Sequence, residues 1–306
     1  MEKLYPFKIR SIITGLLFCI ANVFYSQNVS MSERINFNDI SEISFGEMSD
    51  IDIVPIESSP EKGNYCALII SNETYKRVPN VPYSLNDGNT IHRYFNKVLG
   101  VPERNIVHIE NATYNDMKYA INNIELRCKA FPNQIQLYIY YSGHGIPDER
   151  GESYLLPIDG IGTDPTSGYN LYEFYEQLNG FKTKSTIVFV DACFSGTRRD
   201  GGMLLATRGI TIKPKTRIPS GNLLVFTATS GEETAFPIEN QQHGLFTYSV
   251  LAALKDAGDN ITWGDLTDKV INDVIHASID LTGKTQTPTV LVSPNIADKW
   301  RNMKIR

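Results

Sequence analysis

The stretch QIQLYIYY, Gln134–Tyr141, runs straight into Ser142-Gly143-His144-Gly145. It is a short, almost continuously apolar run, which predicts a buried strand ending in a small-residue loop. A second run of the same type, STIVFV at Ser185–Val190, leads into Asp191-Ala192-Cys193-Phe194-Ser195-Gly196. Outward from these two, Asn64–Ser71 (NYCALIIS), Asn105–Ile109, Ser153–Ile158, Asn222–Thr227 (NLLVFT) and Thr289–Val292 read as further strands. Between them, Pro82–Leu99 carries Leu85, Ile91, Tyr94, Phe95 and Val98 at helical spacing. Thr113 with Asp116 is a capping box that opens a helix to about Lys129, and Asn170 with Glu173 opens one to Leu178. Helices over Leu245–Ala257 and Trp263–Ile279 follow, the second capped by Thr262 and Asp265. Strands alternating with helices predict an α/β fold: a mainly parallel six-stranded sheet with helices on both faces.

Composition bounds the function. The 306 residues hold 29 Lys+Arg against 34 Asp+Glu, a net charge of -5. An acidic balance excludes an ordinary nucleic-acid binder, which needs a cationic face for phosphates. With 42% hydrophobic and 21% charged residues the chain has a core to bury, which excludes wholesale disorder. Four cysteines are too few for a disulfide-held scaffold.

The ends differ from the middle. Residues 1–27 read as a secretory signal: Lys3, Lys8 and Arg10, then an apolar run from Ser11 to Phe24, with a cut near Ser26–Gln27. The competing reading is a signal-anchor helix, for which the run is short. Residues 28–63 are polar and acidic, an extended arm or a removable pro-segment. Residues 64–300 form the expected catalytic domain. An exported chain is expected outside the cytoplasm, secreted or periplasmic, with no stable membrane span after signal removal.

The chemistry is expected where ligands collect in open α/β sheets, beyond the carboxyl ends of the strands. A thiol, Cys193, at one strand end and an imidazole, His144, at a neighbouring one suit nucleophilic catalysis. Imidazole can take the thiol proton and return it to a leaving amine. Cys66 and Cys128 read instead as small buried hydrophobes, and His92, His108, His243 and His276 as structural histidines. Removing the signal leaves three cysteines, so at least one stays free within a single chain, and Cys193 is the natural one.

YYSGHG (Tyr140–Gly145) and DACFSG (Asp191–Gly196) resemble the two signatures of caspase-like cysteine peptidases, closest to metacaspases and their bacterial relatives. His144 precedes Cys193 by 49 residues, which agrees with that family's spacing. The resemblance runs from about Tyr65 to Leu254 and takes in Leu85-Asn86-Asp87, Thr227-Ala228-Thr229 and Gly244-Leu245-Phe246-Thr247. It implies a caspase-hemoglobinase-like three-layer sandwich and a Cys193–His144 dyad acting through a thioester. It also implies an oxyanion hole from the backbone N–H groups of Gly145 and Cys193, and a substrate pocket at Asp87, Ser142 and Asp191. Two carboxylates there would select Arg or Lys. Arg77 is the candidate for the opposite, Asp-selecting preference. Phe194 stands where metacaspases commonly have His. IPDERGESY, after Gly145, lacks the acidic run linked to calcium activation, so no cofactor or metal site is assigned and calcium activation stays an open alternative. The expected partner is a peptide or protein substrate. The rivals are a caspase-fold binding or signalling module without activity, and a peptidase of the legumain or gingipain type. The stretch 197–221, with Arg198, Arg199, Arg208, Lys213, Lys215 and Arg217, is the expected processing linker.

Overall fold

Every residue of the strand Gln136–Ser142 is buried, and so is every residue of Ser185–Asp191, so neither face of either strand meets water. The computed structural model describes residues 49–54, 59–195, 214–257 and 260–305. The signal reading of 1–27, the arm up to 48 and the linker from 197 to 213 lie outside the described residues.

In chain order the elements are β1 (Tyr65–Ser71), α1 (Ser84–Lys97), β2 (Ile106–Glu110), α2 (Tyr114–Ala130) and β3 (Gln136–Ser142). The short strands β4 (Gly145–Pro147), β5 (Ser153–Leu155) and β6 (Tyr169–Asn170) follow, then α3 (Leu171–Gly180), β7 (Ser185–Asp191) and β8 (Leu223–Thr227). The chain continues through β9 (Pro237–Ile238), β10 (His243–Gly244), α4 (Leu245–Asp256), α5 (Trp263–Thr282) and β11 (Thr289–Val292). Six strands form the central sheet in the order β11-β8-β7-β3-β1-β2. All pairs in it are parallel except the edge pair β11–β8.

Alternation along the strands divides the core in two. Ala67, Ile69, Tyr138, Tyr140, Phe189 and Phe226 face α1, α4 and α5. Leu68, Ile70, Leu137, Ile139, Val188 and Val225 face α2 and α3. Phe189 stacks on Phe226 at 5.1 Å between centroids, and both rings lean on Trp263. Cutting one such ring back to Ala typically costs about 3–5 kcal/mol, from lost transfer energy and the cavity left behind.

Local signals set the boundaries. Capping boxes at Thr113–Asp116 and Thr262–Asp265 start α2 and α5, and the Asn170 side chain accepts from the Glu173 N–H to start α3. α5 runs past Ile279 to Thr282 and stops at Gly283, whose φ of 69° is a left-handed cap. The expected strand at Ser153–Ile158 is shorter and lies outside the central sheet: β5 pairs antiparallel with β4 and β6 in a separate three-stranded sheet.

The arm is not extended throughout. Ser49–Val54 is seated on the domain, with Ile51 fully buried against the α1–α4–α5 face and its carbonyl accepting from Tyr94 Oη at 3.0 Å. Nor does packing stop at 300, since Ile305 is buried and Lys304 pairs with Thr262. Among the described residues Cys66, Cys128 and Cys193 form no disulfide.

Candidate active site

The register of β3 against β7 aligns the two polar strand ends. Ser142 is the Cα partner of Asp191, and the Gly143 N–H donates to the Asp191 carbonyl at 3.3 Å. His144 and Cys193 each follow two residues later, on adjacent strand ends. Gly143 is required on two counts: its φ is 157°, and a Cβ there would lie 2.6 Å from Tyr75 Oη and 2.9 Å from Tyr141 Oη.

His144 is buried and held on two sides. Its N–H donates to Tyr75 Oη at 2.8 Å, and its ring lies 4.7 Å from the Tyr75 ring. Its Nε2 lies 2.7 Å from the Pro79 carbonyl oxygen. A carbonyl only accepts, so Nε2 carries a proton and this contact fixes the ring's orientation.

Cys193 is 6% exposed. The Ala235 N–H donates to its Sγ at 2.9 Å, so the loop after β8 covers the thiol. That loop is latched from the segment before β11. Gln286 Oε1 accepts from the Phe236 N–H at 2.8 Å, and the Glu233 carboxylate accepts from the Thr287 N–H and hydroxyl at 2.6 and 2.9 Å.

Gly145 packs directly on the Cys193 turn, where a Cβ would meet the Phe194 ring at 2.5 Å and the Cys193 carbonyl at 2.8 Å. Leu156 N donates to the His144 carbonyl, so the alternation of the antiparallel ladder turns the Gly145 N–H away from β5. Phe194, the departure from the metacaspase pattern, thus fills the space above Gly145.

Asp87, Ser142 and Asp191 are all buried, and one helical turn gathers the two carboxylates. The Gly244 N–H donates to Asp87 at 3.1 and 3.3 Å, while Thr247 Oγ1 donates to Asp191 Oδ2 at 2.6 Å. Ser84 Oγ donates to Ser142 Oγ at 2.7 Å, and Tyr140 Oη donates to Thr247 Oγ1 at 2.8 Å. Arg77 lies elsewhere: it is exposed and donates to the Asp159 carbonyl at 2.6 Å. Among the described residues no Lys or Arg is buried.

Sequence reasoning missed Tyr75, Pro79, Ala235, Ser84 and His243. Two of these act through backbone atoms, which leave no side-chain signature. Cys66 and Cys128 stay apart from the site. Burial raises both thiols, Cys128 to about 12, which suits inert core residues. No group of three or more His, Cys, Asp or Glu that could hold a metal ion occurs among the described residues. Nor is any described helix long and apolar enough to cross a membrane.

The caspase domain family matches residues 65–297, more than two thirds of the chain and well beyond the Leu254 limit of the motifs. Among solved structures, caspase-1 from Spodoptera frugiperda has the same fold, with a TM-score of 0.54 and 16% identity over 78% of this chain and 94% of that one. No curated protein matches. The strand order, the layered helices and the family match converge: the chain belongs to the caspase-domain family of cysteine peptidases.

Proposed function

We propose that the chain is an endopeptidase that cleaves after Arg or Lys through a Cys193–His144 dyad. The observation that carries this reading is the β3–β7 register, which sets His144 and Cys193 each two residues past the paired Ser142 and Asp191, with His144 Nε2 held on the Pro79 carbonyl. The Cys193 proton passes to His144 Nδ1 as sulfur attacks the scissile carbonyl carbon. The oxyanion is held by the N–H groups of Gly145 and Cys193; each such donor is typically worth about 2.7–4 kcal/mol. Collapse breaks the C–N bond, and the imidazolium protonates the departing amine. Water, deprotonated by His144, then attacks the thioester and restores the thiol. The step uses only the chain's own groups, with no metal or cofactor in it.

Asp87 and Asp191 form the floor of the specificity pocket, with Ser142 between them. Two buried carboxylates tied to the same helical turn attract a cationic side chain, strongly so where water is thin. An Asp-selecting pocket would need a buried cation, and Arg77 is turned to Asp159 at the surface. With this reading goes export through residues 1–27.

One observation favours the inactive-module alternative: Ala235 covers the thiol. An active-site-directed thiol probe decides between them. Labelling of wild type that disappears in Cys193→Ala supports the peptidase. An unlabelled wild type, or labelling that survives in the mutant, removes the nucleophile assignment.

A further inference from the structure

A second histidine lies against Asp87. His243 is fully buried, and its Nδ1 lies 2.8 Å from Asp87 Oδ1. A carboxylate oxygen accepts, so Nδ1 carries a proton. On the other edge of the ring, Asn86 Nδ2 lies 3.1 Å from Nε2. The same amide nitrogen donates to the Gln242 carbonyl at 2.9 Å, which fixes the nitrogen, rather than the oxygen, toward the ring. Both ring nitrogens are thus engaged, Nδ1 by Asp87 and Nε2 by Asn86, which fixes the ring against Asp87.

The cradle is closed from the N-terminal side. Asp52 Oδ1 lies 3.6 Å from His243 Nε2, while Arg93 and Thr90, both on α1, donate to that same oxygen at 2.7 Å each. Asp50 is tied down as well, accepting from Tyr248 Oη at 2.8 Å. Ile51 between them is fully buried, so the segment has one seat on the domain.

We propose that His243 is a positioning residue that aims the Asp87 carboxylate, and that Asp52 completes its cradle, making Ser49–Val54 a fixed part of the specificity pocket and not of a detachable leader. The proposal rests on the reading of Asp87 as the group that receives a basic side chain. A buried imidazole between two carboxylates on separate segments is a costly arrangement for mere filling, because an apolar side chain would pack there without partners to satisfy. It also explains why the acidic arm contains residues that grip α1 and α4.

The test compares wild type with His243→Leu, His243→Asn and Asp52→Ala on a fluorogenic peptide cleaved after Arg. Alkylation of Cys193 by iodoacetamide serves as a readout that needs no pocket. His243→Leu should raise KM about tenfold with kcat and alkylation rate nearly unchanged. His243→Asn, whose amide N–H can stand where Nδ1–H stood, should keep most of the wild-type KM, and Asp52→Ala should raise KM severalfold. Equal KM losses in the Leu and Asn variants would mean packing alone and would overturn the proposal; so would a folded Asp52→Ala with wild-type KM. Should His243→Leu not fold, His243→Gln replaces it, since its amide reaches past the Nδ1 position and should lose the effect. A wild type that cleaves only after Asp sinks the pocket reading and this inference with it. A wild type that cleaves after Arg alongside unaffected variants sinks this inference alone.

Discussion

At Gly145 an added Cβ would sit 2.5 Å from the Phe194 ring and 2.8 Å from the Cys193 carbonyl, closer than real contacts come. One of the two turns must give way, and they carry the proposed base and nucleophile. Gly145→Ala should therefore fold but lose about 100-fold in kcat/KM, the usual penalty for misplacing a site by an ångström, as read with a fluorogenic peptide. A second residue sets an acid limit on stability. Burial, and then the neighbouring His92, pull His108 from 6.5 down to about 4. Its folded form stays neutral through a range where the unfolded chain takes up a proton. Stability is thus intact above pH 6.5 and falls as pH drops from there to about 4, by at most roughly 3 kcal/mol from this group. Melting temperatures of His108→Gln should fall less than wild type across that window; parallel curves would reject the assignment. His144 and Cys193 were legible from the sequence because each is a side chain at a strand end between small residues. The Pro79 carbonyl and the Ala235 amide were not, since any residue type offers the same atoms. The contacts of His243 with Asp87 and Asp52 were not legible either, because both lie far from it in the chain.

The elements were legible where their causes are local. Apolar runs fix the central strands, and the Thr113 and Thr262 boxes fix two helix starts within a residue or so. The small sheet was not, because β4, β5 and β6 are short and acquire strand character only by pairing with one another. Two predictions belong to loops. Gln286 holds the loop that covers Cys193, both through the Phe236 N–H and through the Ala228 carbonyl, 3.0 Å from its Nε2. Gln286→Ala should loosen that cover and speed iodoacetamide alkylation of Cys193 severalfold; an unchanged rate would show that the loop opens without releasing this latch. In the linker, Lys215 and Arg217 are anchored on Glu152 at 3.2 and 2.5 Å, and Arg217 lies 5.0 Å from the Tyr172 ring centroid. Lys213 precedes a proline. Self-cleavage is therefore expected after Arg198, Arg199 or Arg208. N-terminal sequencing of fragments from wild type, with Cys193→Ala as control, checks it, and an uncut, fully active wild type would contradict it.

At the scale of the molecule, one sheet does three things. Its register brings two strand ends level, its helices bury both faces, and the Gly244–Thr247 turn reaches back to join Asp87 with Asp191. The first two follow from patterns readable in the sequence. The third depends on contacts between residues more than 50 positions apart, which no local pattern encodes. Export is the remaining expectation at this scale: cell fractionation and N-terminal sequencing should find a chain outside the cytoplasm that begins near Asn28, and a full-length cytoplasmic chain would contradict it. The central claim, a thiol peptidase with an acidic pocket, is tested most directly by turnover of matched fluorogenic peptides with Arg, Lys or Asp before the reporter. Wild type should cleave the Arg and Lys peptides and leave the Asp peptide essentially untouched, while Cys193→Ala cleaves none. Turnover of the Asp peptide alone, or activity that persists in Cys193→Ala, would contradict the account.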